Sequence, residues 1–370
     1  MHSRRRVLGY DCMKAFAMLM VILLHSPGYT LDFPRNTVVG DLVIALTRVC
    51  VPLFFLVNGA LLLTEPLDWH KDVRRMARTV VFMEIWRVIY AVGFGIFGDS
   101  RFGVWDLTLF LLGNNVLGRN PVGHFWFLNA LVAVYVMLPV TKYVFSAADR
   151  KVSDWFGILL VTFTMILPSA KLVLSMFSTW TGRDIQGLID PLEGFGVFGG
   201  CANALAYAFV GGLVARGVAG LGKADRAWRL GVKWKVCMSA GIILCWAATY
   251  GIAVYQARVP VSVDYNLMLP VAALAVLLFV LFLPLRLPSG AARAVTVLGS
   301  NTFGVYMLHI PVLCMVWLVA KHGVRLPVST PSWAALVVDF LLVVAVFLLC
   351  AAITRLCARI PVLGRIFTFR

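Results

Sequence analysis

Lys14 and His25 lie eleven residues apart in one apolar run that opens the chain. At about 100° per residue, that spacing returns to within about 20° of the same helix face, displaced by about 16.5 Å along the axis. The two side chains therefore share a face without touching. Asp11 lies one turn before Lys14 on nearly the same stripe. An imidazole titrates close to working pH. A neutral His25 in a partly dry pocket could take the proton of a hydroxyl as that hydroxyl attacks a thioester, or could carry the acyl group itself. Lys14 is suited to holding a charged part of a donor or to pairing with Asp11. Taken singly, each residue has a plainer reading, an interfacial histidine and a snorkelling lysine. The shared register is what sets the pair apart.

Other costly or chemically able residues follow along the chain. Arg48 precedes Val51-Pro52-Leu53-Phe54-Phe55, with Asn58-Gly59 one turn on. Asn58 can both donate and accept, whereas Pro52 and Gly59 fit a kink or a close helix approach. Arg75 and Arg78 are i,i+3 neighbours, so their guanidiniums can share a surface and grip phosphates, although anchoring at a membrane face explains them equally well. Glu84 and Arg87 are one turn apart and read as a structural ion pair. His124 stands beside Phe125-Trp126-Phe127, where aromatics alone form an interface belt. Tyr306 and His309 share a helix face, and a mid-span histidine needs a partner even if it is only part of the core.

These residues need a membrane scaffold. The 370 residues are 61% hydrophobic and only 14% charged, where a soluble domain has about 25% charged residues. Several apolar stretches reach the ~20 residues that cross a bilayer. Ten spans are expected, near 7–25, 41–63, 79–97, 124–140, 155–173, 196–215, 236–256, 267–284, 302–320 and 333–354. With the N-terminus cytoplasmic, most of the 33 Lys and Arg fall in inner segments, as the positive-inside rule requires, and an even count puts both termini inside. This explains the net charge of +16 without a nucleic-acid partner. The expectation is an all-α membrane protein with about ten transmembrane helices, a single domain over 1–370 and a cytoplasmic tail from about 355. The first run has no small-residue cleavage site after it and reads as a retained span. The stretch 104–112 is too short to cross and suits an interfacial or re-entrant piece. A second long outer loop holds Asp184, Asp190 and Glu193. No two of the 8 cysteines have CxxC spacing, so they read as small buried hydrophobes, and no metal site is expected.

Taken together, the elements resemble the membrane acyltransferase-3 family over about 8–355. The match comprises a Lys or Arg eleven residues before a His (Lys14, His25), the VPLFF-small-Gly element (Val51 to Phe55, Asn58-Gly59), the Arg-x-x-Arg start (Arg75, Arg78), the GHFWFL element at Gly123–Leu128, and Tyr-x-x-His (Tyr306, His309). Asn58 stands where a Ser is commoner, and the stretch after Arg78 lacks a common Pro.

The resemblance implies an acyltransferase of the bacterial inner membrane, with acetyl-CoA as a donor substrate rather than a bound cofactor. It implies as acceptor a hydroxyl of an envelope or exported polysaccharide, free or lipid-linked, met directly because no further domain is attached. Membrane lipids and glycan-assembly proteins would be its neighbours. His25 and Lys14 would be catalytic, and Arg75 and Arg78 would bind the donor. Asp11, Arg48, Asn58, Glu84, His124, Trp126, Tyr306 and His309 would support substrate. The rival class is a secondary transporter using Asp11, Lys14, Glu84, Arg87 and His309 as a relay. Paired broken helices in inverted-repeat halves would mark it, and none are evident.

Overall fold

The computed structural model describes residues 6–27, 37–97, 101–183, 187–188, 198–224, 231–259, 262–322 and 333–368. The expected acidic loop residues Asp184, Asp190 and Glu193 lie outside them. The chain order is α1 (Leu8–His25), α2 (Val38–Thr47), α3 (Cys50–Leu62), α4 (Trp69–Phe97), α5 (Val104–Leu111), β1 (Val116–Leu117), β2 (Asn120–Pro121), α6 (Trp126–Phe145), α7 (Arg150–Val161), α8 (Leu167–Thr181), α9 (Ala202–Ala224), α10 (Val232–Arg258), α11 (Leu269–Phe282), α12 (Ser289–Ser300), α13 (Thr302–His322), α14 (Trp333–Cys357) and α15 (Pro361–Thr368). The fold is an all-α multi-pass membrane protein. Its β-structure among the described residues is the two-residue antiparallel ladder β1–β2.

Nine helical stretches among the described residues are long and apolar enough to cross a membrane. The remaining expected span, near 267–284, is the shorter apolar α11 of 14 residues. At 1.5 Å per residue it is about 21 Å long, less than a bilayer core. It still joins the same two faces. Near its start, the Asn266 carbonyl accepts the Tyr207 hydroxyl at 2.8 Å, from the first turns of α9. Its end packs its backbone against Gly9 at the start of α1.

Two spans are locally irregular just before a proline, although α6 and α13 run on through Pro139 and Pro311. The stretch expected at 41–63 is one span made of α2 and α3, separated by a turn at Arg48–Val49. Pro52 has no N–H for the Arg48 carbonyl, so that bond of the ladder is missing. The stretch expected at 155–173 runs from Arg150 to Thr181 and contains a π-helical turn at Thr162–Ile166, just before Pro168. A π turn re-registers a helix whose next donor is missing.

The tightest crossing is between α3 and α9. A Cβ on Gly59 would lie 1.6 Å from the Ala208 carbonyl oxygen, and one on Gly211 would lie 2.0 Å from that of Leu56. Each backbone rests on the other's glycine. In lipid, where helices gain no hydrophobic driving force from associating, such close packing is what binds them. The packing reading of Gly59 therefore holds. α15 folds back on the bundle, with Phe367 edge-on to Trp86 at 5.0 Å and the Trp86 indole N–H donating to the Ile366 carbonyl. The expected interfacial stretch is the short helix α5, which leaves Val104, Trp105 and Leu112 exposed.

Candidate active site

α1 carries Asp11 and Lys14 near its start and His25 in its last turn. The ends of the helix meet different surroundings. At the His25 end, three imidazoles from three elements converge: His25 of α1, His124 of the 3-10 turn Gly123–Phe125 before α6, and His309 of α13. Ring centroids are 5.3 Å apart for His25 and His309, 5.5 Å for His124 and His309, and 6.5 Å for His25 and His124. His124 and His309 are buried, and His25 is partly exposed.

Backbone carbonyls settle the tautomers of two of the rings. His25 Nδ1 lies 3.0 Å from the Val21 carbonyl oxygen, one turn back. A carbonyl only accepts, so Nδ1 of the neutral ring carries the hydrogen and Nε2 keeps its lone pair. His309 Nδ1 faces the Tyr306 carbonyl at 2.5 Å, with the same consequence. The Nε2 atoms of His124 and His309 are buried and have no hydrogen-bond partner among the described residues.

Around the cluster, hydroxyls fix the backbone. The Tyr306 hydroxyl donates to the His124 carbonyl, tying α13 to the turn before α6. The Tyr90 hydroxyl of α4 donates to the Met307 carbonyl at 2.8 Å, and its ring lies 5.2 Å from His124. Beneath them, Arg87 is fully buried. Its guanidinium donates to the carbonyls of Phe110 and Asn114 and, at 3.1 Å, to Asn129 Oδ1. A cation at the carbonyl end of α5 is favourably placed against the helix dipole. Glu84 approaches Arg87 Nε at 3.7 Å, so the expected ion pair exists but is the looser of its contacts. Arg48, at the turn between α2 and α3, stacks over the Tyr265 ring at 4.4 Å. Asn58 and Trp126 are half-buried.

The other end of α1 belongs to a region of paired charge. Asp11 is bound by Arg6 at 2.5 and 3.0 Å and by Lys14 at 3.0 Å. Lys14 thus takes the Asp11 pairing open to it, with its side chain still partly exposed. Nearby, Lys142 of α6 grips both carboxylate oxygens of Asp72, at 2.8 and 2.9 Å, with both residues essentially inaccessible. Arg75 reaches Asp72 at 3.4 Å and Glu65 at 3.3 Å, and Lys71 holds Glu65 at 2.8 Å. Glu65 lies outside the spans. Burial pushes its carboxyl up, but the Lys71 hydrogen bond and the charges of Arg75 and Lys71 outweigh this and hold it below the usual range. Arg78 is exposed, so the two arginines differ: one is built into an ion network and the other faces outward.

The sequence pattern singled out every ring of the histidine cluster but not their meeting. It also passed over Asp72–Lys142, because both looked like loop charges. Asp339 was missed despite a clear signal, a lone carboxylate in the apolar α14. It is fully buried and accepts the Ser26 hydroxyl at 2.8 Å, directly after His25. Among the described residues no three His, Cys, Asp or Glu side chains are grouped to hold a metal ion.

Comparison with known proteins yields one match. A family model described as an acyltransferase domain covers residues 7–355. No curated protein and no solved structure matches the chain.

Proposed function

The chain belongs to the acyltransferase family whose model spans nearly all of it, and on that premise we propose that it moves an acetyl group from acetyl-CoA to a hydroxyl of an envelope or exported polysaccharide, or of its lipid-linked precursor, in the bacterial inner membrane. The observation that carries the reading is His25: its Nδ1–H is committed to the Val21 carbonyl, which leaves Nε2 as a base beside a polar, enclosed cluster.

In this mechanism the face holding the N-terminus is cytoplasmic, and the acyl-CoA enters there. Arg78, with Arg75 behind it, meets the donor phosphates. The pantetheine arm lies along α1 past Lys14, and the thioester reaches His25. His25 Nε2 takes the hydroxyl proton as the oxygen bonds to the thioester carbon. The C–S bond breaks, and the CoA thiolate receives the proton from the His25 imidazolium. Arg48 supplies positive charge near the developing oxyanion. The acceptor, a glycan hydroxyl, approaches from the opposite face. Glycan-assembly proteins and membrane lipids are the expected neighbours.

Purified protein incubated with radiolabelled acetyl-CoA tests this reading. CoA release that depends on a glycan acceptor, and is lost in His25→Ala, supports it. Wild-type rates in His25→Ala at equal protein would overturn it.

A further inference from the structure

Two imidazoles in this site, His25 and His309, present a lone pair at Nε2, because each Nδ1–H is spent on a carbonyl of its own helix. One such nitrogen serves as the base. The other has no place in the reaction above. His309 is fully buried, its Nε2 has no partner among the described residues, and its ring stands edge-to-face with His25 at 5.3 Å. Nδ1 faces the α13 backbone, and His25 and His124 both pack against the same ring. An orphaned buried acceptor is costly, so a site that keeps one gains when a ligand satisfies it.

The tautomer restricts which ligand group can do so. A lone pair accepts; it repels a thioester carbonyl or a phosphate oxygen and binds an O–H or an N–H, and the group that His25 acts on in this site is an O–H. We infer that His309 reads a second hydroxyl of the acceptor, adjacent to the one His25 deprotonates. Hydrogen bonds of about 2.7–3 Å from two neighbouring hydroxyls to two acceptor nitrogens fit rings this far apart. The Tyr306 hydroxyl locked on His124 and the Tyr90 hydroxyl locked on Met307 hold this wall of the site in place. The site thereby selects an acceptor with adjacent hydroxyls, as on a sugar ring, over one with a single hydroxyl. His309 is a specificity-determining residue, and the inference rests on the hydroxyl-acylation reading above.

The test uses purified full-length protein, labelled acetyl-CoA, and dodecyl glucoside, mannoside and galactoside with their monodeoxy analogues as acceptors. Mass spectrometry locates the acetylated hydroxyl. In the wild type, removing the hydroxyl next to it should lower kcat/KM by about tenfold or more, because a site built around an O–H rejects an analogue lacking it. In His309→Leu that ratio should fall to near one. His309→Gln, whose amide oxygen still accepts, should retain part of the preference. His309→Asn, too short to reach, provides a second loss variant if the leucine protein fails to fold. A wild type indifferent to the neighbouring hydroxyl overturns the inference while leaving the acyltransferase reading intact. So does a His309 variant that slows both acceptors equally. Failure of the wild type to acetylate any glycoside overturns the glycan O-acetylation reading and this inference with it.

Discussion

The two ends of α1 face two regions built on opposite principles. At the N-terminal face, charge is met by opposite charge: Asp11 by Arg6 and Lys14, Asp72 by Lys142 and Arg75, Glu65 by Lys71 and Arg75. At the other end, three imidazoles crowd together above the buried Arg87, and two of their nitrogens have no hydrogen-bond partner among the described residues. Paired ions fix a structure, because separating them in low dielectric is costly. Unsatisfied bases store capacity for a substrate. A charge in a membrane protein therefore says little until its partners are known, and here the histidine end holds the unsatisfied nitrogens while the ions at the other end are paired.

Four experiments can break or sharpen that contrast. The largest effect belongs to the histidine end. His25→Ala should lower CoA release by about 10²–10⁴-fold, the range general-base catalysis contributes, with thermal unfolding little changed. A comparable loss of stability would move His25 into the structural class.

The ion end should behave in the reverse way. Lys142→Ala leaves the buried Asp72 carboxylate with only the longer Arg75 contact and should destabilise the protein by up to about 3 kcal/mol, seen as a lower Tm in detergent. Replacing both partners, as Asp72→Leu with Lys142→Met, should recover most of that. If the double variant is no better than the single one, the pair does more than hold structure.

Arg78 tests the boundary between the regions. As the exposed arginine of the pair, it should matter for donor binding and not for folding. Arg78→Ala should raise the KM for acetyl-CoA about tenfold, roughly 1.4 kcal/mol of lost binding, with unchanged Tm. An unchanged KM would leave it a membrane-face anchor.

The smallest effect is at Glu65, whose carboxyl is held low by Lys71 and Arg75 against its own burial. A depressed carboxyl stabilises the fold fully above its unfolded pKa, and that stabilisation is lost as pH falls through the lowered folded value. Glu65→Gln should therefore cost under about 1 kcal/mol at neutral pH, since the pair is partly exposed. The gap between variant and wild type should close in acid. A gap that persists there would mean that packing, not charge, makes the contact.

The bundle was legible because lipid is an unforgiving solvent. Apolar run length, proline position and the alternation of Lys and Arg sufficed to place nearly every span, and register alone put Lys14 and His25 on one face. Pro52 signalled a kink, and the span is one apolar stretch interrupted by a turn at Arg48–Val49, where the Arg48 carbonyl meets no N–H from Pro52. One span is shorter than expected. The span near 267–284 has a core of only 14 helical residues.

The sequence by itself determined an all-α membrane protein, the residues able to do chemistry, and the distance that keeps Lys14 from His25. Those follow from solvent and helical periodicity, which act over neighbouring residues. Only the tertiary structure decided that His124 and His309 join His25, that Arg75 is committed to carboxylates while Arg78 is not, and that Asp72 is buried on Lys142. Each of these is a meeting of side chains from separate helices. Residue spacing within one helix carries no information about which faces will pack together.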